Sequence, residues 1–216
     1  MKISILCTSP THPVNDHLSR WIDAHRGLHD VQLLRSSREL TGGDILFLVS
    51  CAEIVGREER AKFRHTLVLH ASALPQGRGW NPHIWQILEG ATRLTVTLLE
   101  AEDKVDTGDI WHQVSIEVDR GALWDDINEA VFNAEMQLLD YALVNLPSIV
   151  PRPQRTDIAA THYRLRIPAD SRIDPERTIA DQFDLLRVCD PQRFPAFFDL
   201  RGYRYRITLE KMTDAT

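Results

Sequence analysis

Two side chains offer the clearest chemistry in this chain. His70 directly follows an apolar run, in VLHASALPQGRGW, and Asp106 sits in a polar turn, EDKVDTGDI. A histidine titrates near neutral pH, so it can donate a hydrogen bond to a developing oxyanion and carry a proton between attacking and leaving groups. A carboxylate beside it favours the imidazolium and can order a water for proton transfer. Each residue also has a plainer reading when taken alone. A histidine at a strand end is commonly structural, and Asp-Thr-Gly-Asp has ideal turn chemistry. Other motifs give less: there is no HExxH, no GxSxG and no GxxxxGK[ST]. The first turn, CTSPTHPVN, lacks GxGxxG, which argues against an ordinary dinucleotide site. No metal is expected.

The elements that must position the pair follow from periodicity. Residues 2–7 (KISILC), 30–34 (DVQLL), 45–49 (ILFLV) and 66–69 (TLVL) read as strands, short and apolar. Helical stretches fall at 16–25, with Leu18, Trp21 and Ile22 on one face and Asn15 or Asp16 as cap, and at 58–63. This alternation predicts an α/β fold with a doubly wound, Rossmann-like, mostly parallel sheet. His70 then stands at the carboxyl end of the fourth strand, where such sheets bind ligands. A helix over 82–89 ended by Gly90, a strand over 94–99 and an antiparallel partner over 110–118 follow. The longest helix spans 123–146, with Leu123, Ile127, Val131, Ala134, Leu138 and Ala142 on one stripe. Residues 147–154 (PSIVPRPQ) read as a linker. The expected organisation is a catalytic domain over 1–150 and a small α+β appendage over 151–216, with a helix near 179–188 and a terminal hairpin.

Composition narrows the function classes. A net charge of −6 disfavours nucleic-acid binding through counterion release. Three widely spaced cysteines without CxxC suit a reducing compartment, and the N-terminal apolar run is too short for a signal peptide. A cytoplasmic protein with no membrane partner is expected; a homodimer is left open.

HASALPQGRG followed by EAEDKVDTGDI resembles the formyltransferase family, which includes methionyl-tRNA, glycinamide ribonucleotide and sugar-amine formyltransferases. His70, Leu74-Pro75, Arg78-Gly79 and Asp106-Thr107-Gly108 occupy that family's motif positions, with His70 and Asp106 36 residues apart. The resemblance continues through THYRLRIPADSRID and LLRVCDPQRFPAFF. It implies transfer of a formyl group from 10-formyltetrahydrofolate to an amine, with His70 and Asp106 catalytic. It also implies folate contacts from Ser50, Cys51, Ala52, Glu53, Ile54 and Val55, and from Leu99, Glu100, Ala101, Glu102 and Asp103. Ile54 and Val55 read equally well as apolar core.

One position departs from the family's Asn-x-His: Val68 stands where the asparagine holds the formyl oxygen. Asn81 could replace it or simply cap a helix. HASALPQGRGWNPHIWQILEG looks most like the small nucleotide-sugar N-formyltransferases of pseudaminic-acid-type pathways, which implies a UDP-linked 4-amino sugar as acceptor. On that reading Arg78, Gly79, Trp80, Asn81 and Arg187 contact the acceptor. Trp80 could equally staple its loop. Arg193 could hold a diphosphate or pair with Asp190. Methionyl-tRNA enzymes of the family carry a longer C-terminal domain, which argues against tRNA. A formyltetrahydrofolate deformylase and a binding homologue disabled at Val68 are the alternatives.

Overall fold

In the computed structural model, which describes residues 1–212, the run KISIL forms β1 (Lys2–Leu6) inside a six-stranded sheet. Its side chains alternate between faces, as the two-residue period of a strand requires. Ile3, Ile5 and Cys7 enter one core, while Leu6 enters a second core on the other face with Leu46, Leu48 and Phe63. Burial on both faces explains why the strand is apolar throughout rather than alternating.

After β1 come α1 (Val14–His25), β2 (Asp30–Leu34), β3 (Gly43–Leu48), the one-turn α2 (Arg57–Arg60) and β4 (Phe63–His70). The short β5 (Arg78–Gly79), α3 (Pro82–Leu88), β6 (Arg93–Glu100) and β7 (Ile110–Glu117) follow. β2, β1, β3 and β4 are parallel neighbours in that order. β6 and β7 extend the sheet beyond β4 as antiparallel strands. The expected mostly parallel α/β sheet is present.

α4 (Trp124–Asn145) covers the larger core, and every residue of its expected stripe is buried, from Leu123 and Ile127 to Leu138 and Ala142. Each buried Val, Leu or Ile contributes about 1.5–3 kcal/mol, so the stripe docks the helix. Phe132 and Glu135 also turn inward.

Two expectations change in detail. α1 begins at Val14, because Pro13 sets φ at −62° and starts the helix. Asn15 does not cap it: its amide donates to the carbonyls of Ser9, Pro10 and His12 and ties down the loop after β1. The proline-rich stretch is not a free linker. Arg152 and Ile110 exchange backbone hydrogen bonds of 2.7 and 2.9 Å, laying the segment along the edge of β7.

Beyond it, β8 (His162–Tyr163) pairs with β5, and α5 (Phe183–Arg187) precedes a hairpin of β9 (Ala196–Leu200) and β10 (Tyr203–Ile207). Ile173, Leu186, Cys189 and Ala196 form a small core of their own. Among the described residues no helix is long and apolar enough to cross a membrane.

Candidate active site

β4 delivers His70 to the carboxyl edge of the sheet, and the chain turns at once, with the Ser72 N–H donating to the His70 carbonyl. Val68, two residues earlier, shares the face of His70. The histidine is buried, at 7% exposure. Its Nε2 lies 2.8 Å from the Gly77 carbonyl and donates to it. Its Nδ1 lies 3.6 Å from Asp106 Oδ1. That distance is too long for a direct hydrogen bond and suits one bridging water or a small shift of the ring.

The loop holding the Gly77 carbonyl contains a cis Leu74–Pro75 bond and places Gly77 at φ +74°. A Cβ there would stand 2.8 Å from the Ser72 side chain, so glycine is needed both for space and for the left-handed backbone.

Asp106 is likewise buried and has φ +58°, a conformation costing a non-glycine residue about 1–2 kcal/mol. Two neighbours hold it there, Gly79 and Gln154. Its Oδ2 accepts the Gly79 N–H at 2.8 Å. Gln154 Nε2 donates to the carbonyls of Asp106 and Gly108 at 2.9 and 3.0 Å, and Gln154 Oε1 accepts from Arg78 at 2.6 Å. A Cβ at Gly108 would overlap the Glu100 carbonyl, which lets β6 and this turn approach closely. Gln154 therefore clamps the Asp106 turn to the Arg78 loop. Sequence reasoning missed it, because it ends a stretch whose prolines signal a linker.

The two segments expected to hold folate lie together. Arg60 donates to the Val55 carbonyl at 2.9 Å and pairs with Asp103, as Arg57 does at 2.6 Å. Hydrogen bonds from Arg60 and Arg57 hold the Asp103 carboxyl below the usual range. Within these walls the roles differ. Leu99 is wholly buried and Val55 nearly so, so their side chains are core and only their backbones can face a ligand. The Glu53 carboxylate accepts the Ser37 N–H, and that of Glu100 accepts from Trp111, so both brace the walls. Burial pushes the Cys51 thiol up to about 11, leaving it an inert wall group. Ser50, at φ +47°, and Ala52, whose N–H donates to Thr8, shape the turn. Glu102 is exposed, and Ile54 and Val105 present open apolar surface.

On the acceptor side, Trp80 is 44% exposed while its N–H donates to the Tyr163 carbonyl. Asn81 precedes α3 at φ +48° and makes no side-chain capping bond, so its amide is not committed to the helix. Gly79 spends its N–H on Asp106, and the Arg78 guanidinium is engaged by Gln154. Arg187 is a correction. It is 2% exposed and donates to Asp184 and to the carbonyls of Asp119 and Ala122, so it ties the appendage to the start of α4 and is not free for an anion.

Two buried groups nearby had no sequence signal. His83 has an enclosed, unpartnered Nδ1, and burial lowers its pKa to about 4. Glu135 has an enclosed, unpartnered Oε2, and burial raises its carboxyl to about 8. Elsewhere, a hollow of about 410 Å³ between α1 and β2 lies three strands from His70, and its one carboxylate, Asp23, pairs with Arg26. His25 and His29, four apart, stack on one another, and both ring nitrogens of His25 are engaged, by the Trp21 carbonyl and Asp140. Among the described residues no group of three His, Cys, Asp or Glu could hold a metal.

Comparison with known proteins gives this geometry a context. Residues 10–143 match the model described as formyl transferase. Methionyl-tRNA formyltransferase of Ehrlichia ruminantium is 25% identical over 204 residues, covering 94% of this chain and 65% of that protein. This chain thus spans less than two thirds of that relative.

Solved structures share the fold. A methionyl-tRNA formyltransferase from Clostridium thermocellum superposes with TM-score 0.82 at 19% identity, covering 100% of this chain and 96% of that one. HypX from Aquifex aeolicus in complex with tetrahydrofolic acid gives 0.81 at 22%, covering 97% and 37%. A sugar N-formyltransferase from a Shewanella species gives 0.74 at 15%, covering 99% of each. The solved Clostridium chain is close to this one in length, whereas the Ehrlichia relative is longer.

Proposed function

Because the chain belongs to the formyl transferase family, we propose that it moves a formyl group from 10-formyltetrahydrofolate to the amine of a nucleotide-linked amino-dideoxy sugar, specifically a UDP-linked 4-amino sugar used in surface glycans. The observation that carries this reading is the buried His70–Asp106 pair at the carboxyl edge of β4, held at 3.6 Å by the Gly77 and Gln154 contacts. The folate supplies a formyl group on nitrogen. Residues 50–55 and 99–105 suit it, because Arg60 and Asp103 draw them into facing walls with open backbone and the exposed Ile54 and Val105.

In this scheme the neutral amine attacks the formyl carbon, the new C–N bond forms, and the bond to the folate nitrogen breaks. His70 donates from Nδ1 to the oxygen as it becomes an oxyanion, while Nε2 stays on the Gly77 carbonyl. Asp106 stabilises the charged ring and, through a water, passes the amine's proton toward the leaving nitrogen. Asn81, free of capping duty, takes the place of the amide lost at Val68. Trp80 offers its exposed face to a sugar or uracil ring. The net charge of −6 favours a small acceptor over tRNA.

The test is mass spectrometry with 10-formyltetrahydrofolate and a panel of UDP- and dTDP-linked 4-amino sugars, with methionyl-tRNA as a further acceptor. A sugar product heavier by one CO supports the reading. Formylated methionyl-tRNA alone would refute the acceptor class, and folate turnover with every acceptor unmodified would favour the deformylase.

A further inference from the structure

Arg166 and Arg193 approach the Phe194 ring at 5.7 and 5.8 Å, and among the described residues neither guanidinium joins an ion pair. The contrast with their neighbour is direct: Arg164 takes both oxygens of Asp170, the carboxylate within electrostatic reach of Arg166. Arg166 is 5% exposed, its Nε is enclosed without a partner, and its side-chain bond runs only to Ser171 Oγ at 3.2 Å. A guanidinium desolvated this far loses hydration that a ring contact and one hydroxyl partner do not fully restore. A bound anion would restore it.

Two further elements bring groups to the same place. His12, on the loop after β1, stands edge-on to Phe132 of α4 at 5.7 Å and lies in the field of Arg193. His83, in the first turn of α3, lies in the fields of His12, His70 and Arg166, with its Nδ1 unpartnered. Burial keeps both rings neutral, so they act as N–H donors while the arginines supply charge. Glu135, one turn from Phe132, is held largely as the neutral acid and does not cancel that charge.

We propose that Arg166, Arg193, His12 and His83 form a phosphoryl-binding subsite beside His70 that takes the diphosphate of the acceptor. Guanidinium forks and ring N–H groups match several oxygens of one anion, which a single carboxylate would not fill. The identity of the anion as the acceptor's diphosphate rests on the formyl-transfer reading, whereas binding of the anion does not.

The test is calorimetric titration of the full chain with pyrophosphate, UDP and a short single-stranded RNA. Arg193→Glu carries the test because Arg193 is exposed and the change leaves the core alone. Arg166→Met is used if its melting curve shows a folded protein, and Arg201→Glu, in the exposed hairpin turn, controls for overall charge. Saturable binding of pyrophosphate and UDP is expected, weakened about tenfold or more in Arg193→Glu and unchanged in Arg201→Glu. Absence of binding, equal binding in Arg193→Glu, or equal weakening in the Arg201 control would overturn the subsite. Tighter binding of RNA than of UDP, lost in the same variants, would overturn its assignment to a diphosphate. None of these outcomes depends on formyl transfer, so failure here leaves the catalytic reading standing, and the reverse holds too.

Discussion

The His70–Asp106 juxtaposition, 3.6 Å in the structure, was legible only from the two motifs taken together, because a strand-end histidine and an Asp-x-Gly turn each have a structural reading alone. The partners of the pair were not legible. Gln154 reaches Asp106 from 48 residues away, and His83 and Glu135 sit in helices whose composition shows nothing unusual. Glu135 allows a test of the buried environment. Its folded carboxyl titrates at about 8, well above an ordinary glutamate. Between about pH 4.5 and 8 the unfolded chain has released a proton that the fold retains, so the unfolded state binds fewer protons and stability falls as pH rises through that window. Glu135→Gln removes this loss. The variant is expected to melt above wild type near pH 8, by roughly 2–4 °C for each kcal/mol recovered, with the difference shrinking toward about pH 5. An equal difference at both ends, read by thermal melts, would mean that the carboxyl is not held neutral. Val68 poses a second question of the same scale. If Asn81 supplies the oxyanion donor, Asn81→Ala lowers kcat about 10²–10³-fold with KM little changed, which steady-state kinetics would read. An unaffected kcat would assign that task elsewhere.

At the scale of elements, strands and the long α4 were readable because their apolar periods are strong and local. The stretch over 147–154 was not, because its prolines signal an interrupted backbone whether or not it is pinned to a neighbour. The pairing of Arg152 with Ile110 makes it a strap. Gln154, at its end, satisfies the carbonyls of a turn strained at Asp106. Gln154→Leu leaves those carbonyls and Arg78 without a partner, and the cost of a buried unsatisfied group is about 1–3 kcal/mol. The expected result is a kcat reduced about tenfold or more, a KM for folate little changed, and recovery in Gln154→Glu incomplete because a carboxylate cannot donate to two carbonyls. A loss confined to melting temperature, with kcat intact, would make the residue a stability element only. The small α5 and the corrected Arg187 teach the same lesson: a basic residue in a polar segment reads as a ligand group until the tertiary contacts of Asp119 and Ala122 account for it.

For the whole molecule, the alternation of strands and helices was enough to predict the sheet, and the family match over 10–143 agrees with it. The acceptor was less legible, because recognition depends on which distant segments surround His70, and relatives with methionyl-tRNA and sugar acceptors share this fold. The central claim is that the His70–Asp106 pair transfers a formyl group to an amine. The direct measurement follows the carbon by NMR, using 10-formyltetrahydrofolate labelled with ¹³C in the formyl group and the amino-sugar acceptor, with wild type, His70→Asn and Asp106→Asn. The account predicts a ¹³C formamide signal in wild type, with rates about 10²-fold or more lower in each variant. Label appearing as free formate in the presence of acceptor, or a formamide formed equally fast by His70→Asn, would contradict it.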